Sequence, residues 1–152
     1  MVTRTRFDTD SCPVARSVDA IGDWWSLLIV RDAFDGSRRY GEFQRSLGIA
    51  KNILAARLRA LVEAGVMDAV PASDGSAHRE YVLTEKGRDL FPVIVALRQW
   101  GEAHCFDLGE PHSRLLDRHQ GRPLRPLEIR TDDGRPITPD ETVVEKLEDA
   151  AP

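Results

Sequence analysis

The chain has 152 residues, of which 41% are hydrophobic, and this is enough for one domain with a hydrophobic core, with or without an appendage. Its apolar runs are far shorter than the ~18 residues of a membrane span, and no secretory signal is recognisable, so we expect a cytoplasmic protein without a membrane partner. The net charge of −4 argues against nucleic-acid binding only if it is evenly spread, but residues 36–60 carry six Lys or Arg against one acid.

Two helices are predicted after a polar segment, residues 1–10, that we expect to be flexible. The first helix starts near Ser11, with Ser11 or Asp10 as its N-cap, and ends at Gly22. Asp23 can cap the second helix, WWSLLIVRDAFD. That helix is apolar nearly all round, which predicts a central, buried element.

A helix-turn-helix unit is predicted next, because a short helix, YGEFQRSLG, is separated by Gly48 from an amphipathic helix over residues 50–64. One side of the amphipathic helix is apolar at helical spacing and is expected in the core: Ile53, Leu54, Leu58, Leu61 and Val62. The other side is small, basic and amide-bearing: Lys51, Asn52, Ala55, Ala56 and Arg59.

The residues after Gly65 change to the pattern of two short strands around a turn-rich loop, VMDAV, PASDGSAH and REYVLT, which predicts a β-hairpin. Thr84 can then cap one long helix that runs to about Cys105 and is bent from inside by Pro92. Residues 106–152 are rich in proline and charge. We expect short strands there, SRLLDRH, PLEIR and RPIT, with a hairpin turn at Asp133-Gly134.

Four stretches together resemble the HxlR family of bacterial transcription regulators, relatives of the MarR group: CPVARSVDAIGDWWSLLIVRDAF, RRYGEFQRSLG, NILAARLRALVEAGVM and YVLTEKGRDLFPVIVALRQWGE. The resemblance implies a mostly α fold with a small β wing. We therefore expect a winged helix-turn-helix domain over residues 11–105, with a long C-terminal dimerisation helix, and a short β-rich extension over 106–152. The family further implies a homodimer that binds duplex DNA.

The predicted contacts with DNA bases lie on the amphipathic helix, because the major groove admits one α-helix. Asn52 can pair with adenine, and Lys51 and Arg59 can reach guanine or phosphate. Ala55 is small enough to let the helix backbone approach. An inverted-repeat operator is expected, because a dimer places two such helices ~34 Å apart, about one helical turn.

Further contacts are predicted at the edges of this unit. Three residues precede the short helix, where phosphate contact is expected: Arg38, Arg39 and Tyr40. Arg57 has two alternatives, since it can bind phosphate from the flank or pair with a carboxylate inside the domain. His78 and Arg79 lie at the end of the hairpin loop, where an arginine can enter the minor groove.

Cys12 is a candidate redox sensor. It lies at the predicted start of the first helix, where unpaired N–H groups and the helix dipole favour the thiolate that reacts with oxidants and electrophiles. The resemblance implies such sensing in some relatives. The partner cysteine that completes a disulfide in some of them is absent, because no cysteine lies between Cys12 and Cys105. The alternative is a small apolar side chain packed under the helix end.

The residues also allow a different signal and a different function. A small apolar or aromatic effector is an alternative signal, with Trp24, Phe91 and Trp100 as its expected lining at the dimer seam. No metal site is expected, because the cysteine pairs of longer relatives are absent and the segments in their places, RHQG and TDDG, contain only His119 as a possible ligand of that kind. No cofactor or catalytic motif is present, so we expect no enzyme. The prediction is a DNA-binding repressor, and the main alternative is a winged-helix module for protein–protein contact.

Overall fold

The fold, taken from a computed structural model that describes residues 5–147, consists of six α-helices, two strands and a 3-10 turn. The helices are α1 Pro13–Ile21, α2 Trp24–Phe34, α3 Tyr40–Leu47, α4 Lys51–Glu63, α5 Glu85–Arg88 and α6 Phe91–His104, the strands are β1 Met67–Pro71 and β2 Arg79–Leu83, and the 3-10 turn is Pro139–Glu141. This confirms the predicted class, mostly α with a small β wing. Two compact units are present, and the division falls within α6, between Ile94 and Val95.

The start of the chain is more ordered than expected where the structure describes it. Cys12 is the N-cap of α1, so the prediction of Ser11 or Asp10 at that position was wrong. Asp10 instead accepts the backbone N–H of Cys12 at 2.8 Å, and the backbone N–H of Phe7 donates to Asp19 at 3.2 Å. Residues 1–4 of the expected flexible segment lie outside the described residues.

The second helix, α2, begins as predicted, since the Asp23 carboxylate accepts the N–H of Ser26 at 2.8 Å. Ser26, Ile29, Val30 and Asp32 of α2 are buried, and the other residues of the helix are half-buried except Trp24, which is 74% exposed. α2 packs against α3, α4 and β2, so the prediction of a central, buried helix is confirmed except at its first residue. None of the described helices is long and apolar enough to cross a membrane.

The helix-turn-helix unit of α3 and α4 is held by a glycine and a tyrosine. Gly48 ends α3 with φ of 61°, a left-handed conformation that glycine adopts without strain. The Tyr40 hydroxyl donates to the carbonyl of Lys51 at 2.5 Å, which joins the first turn of α3 to the first turn of α4. These two features fix how α4 leaves the turn.

The core of the first unit is built on one stripe of α4. Leu54, Leu58 and Leu61 are buried at a spacing of four and three residues, against Phe43 and other apolar side chains. Ile53 is 39% exposed, so its predicted place in the core was wrong. The reason is geometric, because neighbouring residues of a helix point about 100° apart and the stripe is centred on Leu54.

The wing is joined to the rest of the first unit by Glu80, which is 3% exposed. One carboxylate oxygen accepts from Arg38 Nε at 2.5 Å, and the other accepts from the backbone N–H and the hydroxyl of Ser73. The backbone N–H of Tyr81 also donates to the carbonyl of Arg38 at 2.7 Å. β1 and β2 pair antiparallel from Met67↔Leu83 to Pro71↔Arg79.

The predicted long helix is interrupted, and the idea that Pro92 only bends it was wrong. Thr84 caps the short helix α5 as expected, accepting the N–H of Gly87 at 3.1 Å. The chain then leaves the helical path after Arg88 and starts α6 at Phe91. Pro92 has no N–H, and its ring would clash with the carbonyl four residues earlier, that of Arg88. It is tolerated here because it lies in the first turn of α6.

The strands predicted in residues 106–152 were largely wrong. Of the described part, two isolated bridges form, Leu116↔Pro123 and Arg130↔Pro136, together with the predicted turn, where Gly134 has φ of 89°. Proline at both bridges removes the N–H that a longer ladder needs. The second unit is held instead by side chains of α6, since the Gln99 amide bonds to the backbone at Arg125 and Leu127. Residues 148–152 lie outside the described residues.

The first prediction concerns Glu80→Gln. Bonds from Arg38 and from Ser73 hold the pKa of the Glu80 carboxyl below its ordinary value of 4.5. A depressed folded pKa stabilises the protein above the pKa of the unfolded state, and this stabilisation is lost as pH falls through the folded value. Glu80→Gln should therefore lower the melting temperature by a few degrees near neutral pH, and by less at more acidic pH.

Thermal melts from neutral to acidic pH, followed by circular dichroism, measure this difference. Glu63→Gln is the control, because Glu63 is exposed on α4 and forms no ion pair with a described residue. A difference between wild type and Glu80→Gln that stays constant with pH would contradict the assignment.

Candidate nucleic-acid interface

The exposed face of α4 carries the side chains predicted to contact bases. Lys51, Asn52 and Arg59 are exposed, and Ala55 is half-buried beside them. The side chains of these three polar residues form no hydrogen bond or ion pair with the described part of the chain, so their donors are available to a ligand. α4 begins at Lys51 with Ala50 as its N-cap, and no side chain caps its first turn.

Arg57 follows the second of its two predicted alternatives. Its Nε lies 3.5 Å from Asp23 Oδ1, and this carboxylate also caps α2. The Arg57 side chain is 33% exposed. Arg57 therefore joins α4 to the start of α2 inside the domain, which leaves it poorly placed among the predicted DNA contacts.

Arg38 and Arg39, which the sequence predicts as phosphate contacts, both form ion pairs with acids of the wing. Arg38 is bound by the buried Glu80, and Arg39 forms an ion pair with Asp74 and lies 3.9 Å from Glu80. Asp74 raises the pKa of the Arg39 guanidinium. The pKa of Asp74 is itself well below its ordinary value, chiefly through bonds from Ser76 and also through Arg39. Much of the charge of this arginine pair is thus neutralised.

A concave groove of about 490 Å³ lies between the start of α3 and strand β2. Eight residues line it: Arg39, Tyr40, Gly41, Glu42, Arg45, His78, Arg79 and Tyr81. Glu42 accepts the N–H of Arg39 at 2.9 Å and so caps α3. Arg45 and Arg79 are exposed and form no ion pair with any described residue, so the groove is electropositive.

Arg45 was missing from the residues predicted as DNA contacts. It lies in the last turn of α3, four residues after Gly41, and it counts among the six basic residues of segment 36–60. That local charge was the available signal. The sequence did not show that the wing folds back to place Arg79 and His78 on the same groove as Arg45.

The candidate sensor residues each have their own neighbours. Cys12 and Cys105 are free, exposed thiols, so the interpretation of Cys12 as a packed apolar residue is wrong for the single chain. In the first unit, Trp24 contacts Trp25 with ring centroids 6.4 Å apart, whereas Phe91 contacts Phe34 at 5.5 Å. In the second unit, Trp100 contacts His104 at 5.1 Å. Within residues 5–147 no group of three or more His, Cys, Asp or Glu is arranged to hold a metal ion.

The family model and the relatives that match this chain are all of the helix-turn-helix class. A model of the HxlR-like helix-turn-helix family matches residues 20–107. Rv3095 of Mycobacterium tuberculosis, an uncharacterized HTH-type transcriptional regulator, is 44% identical over 133 residues, which are 88% of this chain and 83% of that protein. YdeP of Bacillus subtilis, also an uncharacterized HTH-type transcriptional regulator, is 35% identical over 98 residues, 64% of this chain and 77% of YdeP.

Solved structures with the same fold include proteins similar in sequence. PA1607, described as a candidate transcription factor, superposes with a TM-score of 0.89 at 59% identity, covering 93% of this chain and 99% of its own. PA1374 from Pseudomonas aeruginosa, described in the same way, gives 0.62 at 42% identity, with 92% and 95% covered. The redox regulator HypR in its reduced form gives 0.57 at 32% identity, with 62% and 94% covered.

The second prediction is that Asn52→Ala and Arg59→Ala each weaken binding to a specific DNA site by about 1–3 kcal/mol and relax base preference at one position per half-site. Both side chains are exposed on α4 and have no partner among residues 5–147, so they can reach base edges. Fluorescence anisotropy with duplexes altered at single positions measures the effect. Arg57→Ala, which breaks the pair with Asp23, should leave base preference unchanged. An equal loss on specific and random DNA would show phosphate contact only.

The third prediction is that Arg45→Ala and Arg79→Ala each reduce the slope of log K against log[salt] by about one, because each removes one phosphate contact. Titrations over a range of salt concentrations provide the slopes. Arg88→Ala is the matched control, since Arg88 is exposed on α5, is unpaired among the described residues, and does not line the groove. A slope that changes equally in all three variants would rule out a contact specific to the groove.

Proposed function

The chain belongs to the HxlR-like helix-turn-helix family, and we propose that it is a homodimeric, sequence-specific repressor that binds an inverted-repeat operator in duplex DNA. The observation that carries this proposal is the exposed face of α4, where Lys51, Asn52 and Arg59 present donors that no described residue occupies. A helix with such a face, next to a two-stranded wing, has the shape and chemistry of a major-groove reader.

The proposed mode of binding follows from the placement of the charges. α4 enters the major groove, where Asn52 and Arg59 bond to base edges. The groove between α3 and β2 receives the phosphate backbone through Arg45, and Arg79 reaches the adjacent minor groove from the wing. Arg38 and Arg57 hold the domain together, since each is bound by an acid of its own chain.

Dimerisation is supported by apolar side chains that are exposed in the single chain. On α1, Val14 and Val18 are exposed and four residues apart, so they lie on one face of the helix. On α6, Phe91, Leu97 and Trp100 are exposed as well. Burial of such side chains against a second copy would stabilise a dimer. The dimer would then bring two α4 helices to half-sites one helical turn apart and occlude a promoter.

The proposed signal is oxidation or alkylation of Cys12. The exposed thiol lies at the N-cap of α1, the helix assigned to the dimer interface, and the similar protein HypR is described as a redox regulator in both its reduced and its oxidised form. A thiolate attacks one oxygen of a peroxide, the O–O bond breaks, and the other oxygen leaves as hydroxide or alkoxide, so that sulfenic acid forms. With a quinone, the thiolate adds to a ring carbon and forms a thioether. Either product changes the size and polarity of the helix start.

The experiment that tests the function is selection from a random duplex library by the purified protein. We expect enrichment of an inverted repeat with half-sites about 10 base pairs apart, centre to centre. A variant that combines Lys51→Ala, Asn52→Ala and Arg59→Ala should keep its melting temperature and enrich nothing. Absence of enrichment with the wild type would overturn the proposal and favour a winged-helix module for protein–protein contact.

The fourth prediction is that treatment with a quinone or a peroxide weakens operator binding by about 5–150-fold, the usual range of coupling between two sites. Cys12→Ser should abolish the response, and Cys105→Ser, which removes the other exposed thiol, should keep it. Anisotropy titrations before and after treatment measure the change, with mass spectrometry to identify the modified cysteine. Equal responses of wild type and Cys12→Ser would show that the signal enters elsewhere.

A further inference from the structure

Asp74 lies in the loop that joins β1 to β2, and it connects this loop to the start of α3. One carboxylate oxygen, Oδ2, accepts from Arg39 Nη2, and the other, Oδ1, accepts the backbone N–H of Ser76 at 2.9 Å. The side chain of Asp74 is 52% exposed and that of Arg39 is 36% exposed. The ion pair is thus on the surface, between the wing loop and the residue that precedes α3.

The location of this pair matters because Arg39 lines the same groove as Arg45, His78 and Arg79. Arg45 and Arg79 have no acidic partner among the described residues, whereas Arg39 has Asp74. A carboxylate offers an arginine the same kind of paired, anionic oxygens as a phosphate. Asp74 therefore satisfies Arg39 in the way that a backbone phosphate of DNA in this groove would.

The ion pairs Arg38–Glu80 and Arg39–Asp74 differ in how readily the arginine can leave its carboxylate for a phosphate. Arg38 is bound by Glu80, which is 3% exposed, so breaking that pair would leave a buried carboxylate with the Ser73 bonds and with Arg39 Nε no nearer than 3.9 Å. Asp74 would return to solvent if Arg39 left it. Exposed ion pairs contribute little to stability, so Arg39 can change partner at small cost.

We propose that Asp74 is a phosphate mimic, which holds Arg39 in the free protein and gives it up to a backbone phosphate when DNA enters the groove. This inference rests on the proposed DNA-binding function. It assigns Asp74 the role of lowering affinity for duplex DNA of every sequence, since the exchange takes place at the phosphate backbone and not at the bases read by α4.

The exchange has a signature in the salt dependence of binding. A phosphate contact normally releases about 0.9 of a cation from B-DNA. When Arg39 leaves Asp74, the freed carboxylate attracts a cation from solution, so the wild type shows little net release at this contact. In Asp74→Asn the uptake is absent, and the slope of log K against log[salt] should become steeper by about one.

The test uses the full chain and four variants. Asp74→Asn removes the charge and keeps an oxygen for the N–H of Ser76, so the loop turn is retained. Asp68→Asn is the matched control, because Asp68 is an exposed acid on β1 that forms no ion pair with any described residue. Arg39→Ala and the double variant with Asp74→Asn complete a cycle that isolates the coupling of the pair.

Affinities for a random duplex and for a selected operator are measured between about 50 and 200 mM salt. We expect Asp74→Asn to bind both DNAs more tightly by a similar factor, and this factor should be about threefold larger at the low end of the range, since each phosphate contact contributes a slope near 0.9. Asp68→Asn should change affinity much less. In the Arg39→Ala background, the gain from Asp74→Asn should disappear.

Three results would overturn the inference while DNA binding stands: Asp74→Asn binds no more tightly than Asp68→Asn, its gain persists without Arg39, or its salt slope is unchanged. A different result concerns the proposed function itself. If wild type and Asp74→Asn both fail to bind any duplex over this salt range, the DNA-binding proposal fails with the inference that rests on it. Circular dichroism melts of each variant establish that a lost effect is not lost folding.

Discussion

A buried carboxylate on the wing is the constraint on which the geometry of the interface depends. Glu80 is charged and almost fully enclosed, so it must be paired and hydrogen-bonded to be tolerated. Its partners come from the loop before α3, through Arg38, and from the wing loop, through Ser73. The wing and the entry to the helix-turn-helix unit are therefore positioned together, and the groove between them is a consequence of this pairing.

Pairing with acids of the same domain divides the basic residues into two groups. Arg38 and Arg57 are committed to acids of their own domain and contribute to its architecture. Arg45, Lys51 and Arg59 have no described acidic partner and provide the field that a nucleic acid would meet. A local excess of basic charge along the sequence thus overstates the charge available to a ligand, because part of it is neutralised by acids that are distant in sequence and close in the fold.

The elements predicted well are those set by local rules. The bounds of α3, α4 and the wing follow from helical and strand periodicity and from turn residues such as Gly48. The pair between Arg38 and Glu80 spans 42 residues and left no local signal. Local rules do not decide whether a helix bends at Pro92 or ends before it, and in the structure α5 ends at Arg88 and α6 begins at Phe91. Amphipathic spacing identifies Asn52 and Arg59 as exposed residues of one helix face. The place of Arg45 on the groove depends on the position of the wing, which the sequence does not show.

The measurement that tests the central claim most directly is hydroxyl-radical footprinting of the protein on the duplex it selects, since this maps protected sugars along both strands. We expect two protected half-sites about one helical turn apart, each flanked by minor-groove protection that is lost in Arg79→Ala while the half-site remains. Protection without two-fold symmetry, or a footprint that does not change when the wing arginine is removed, would contradict a dimer that reads DNA with α4 and its wing.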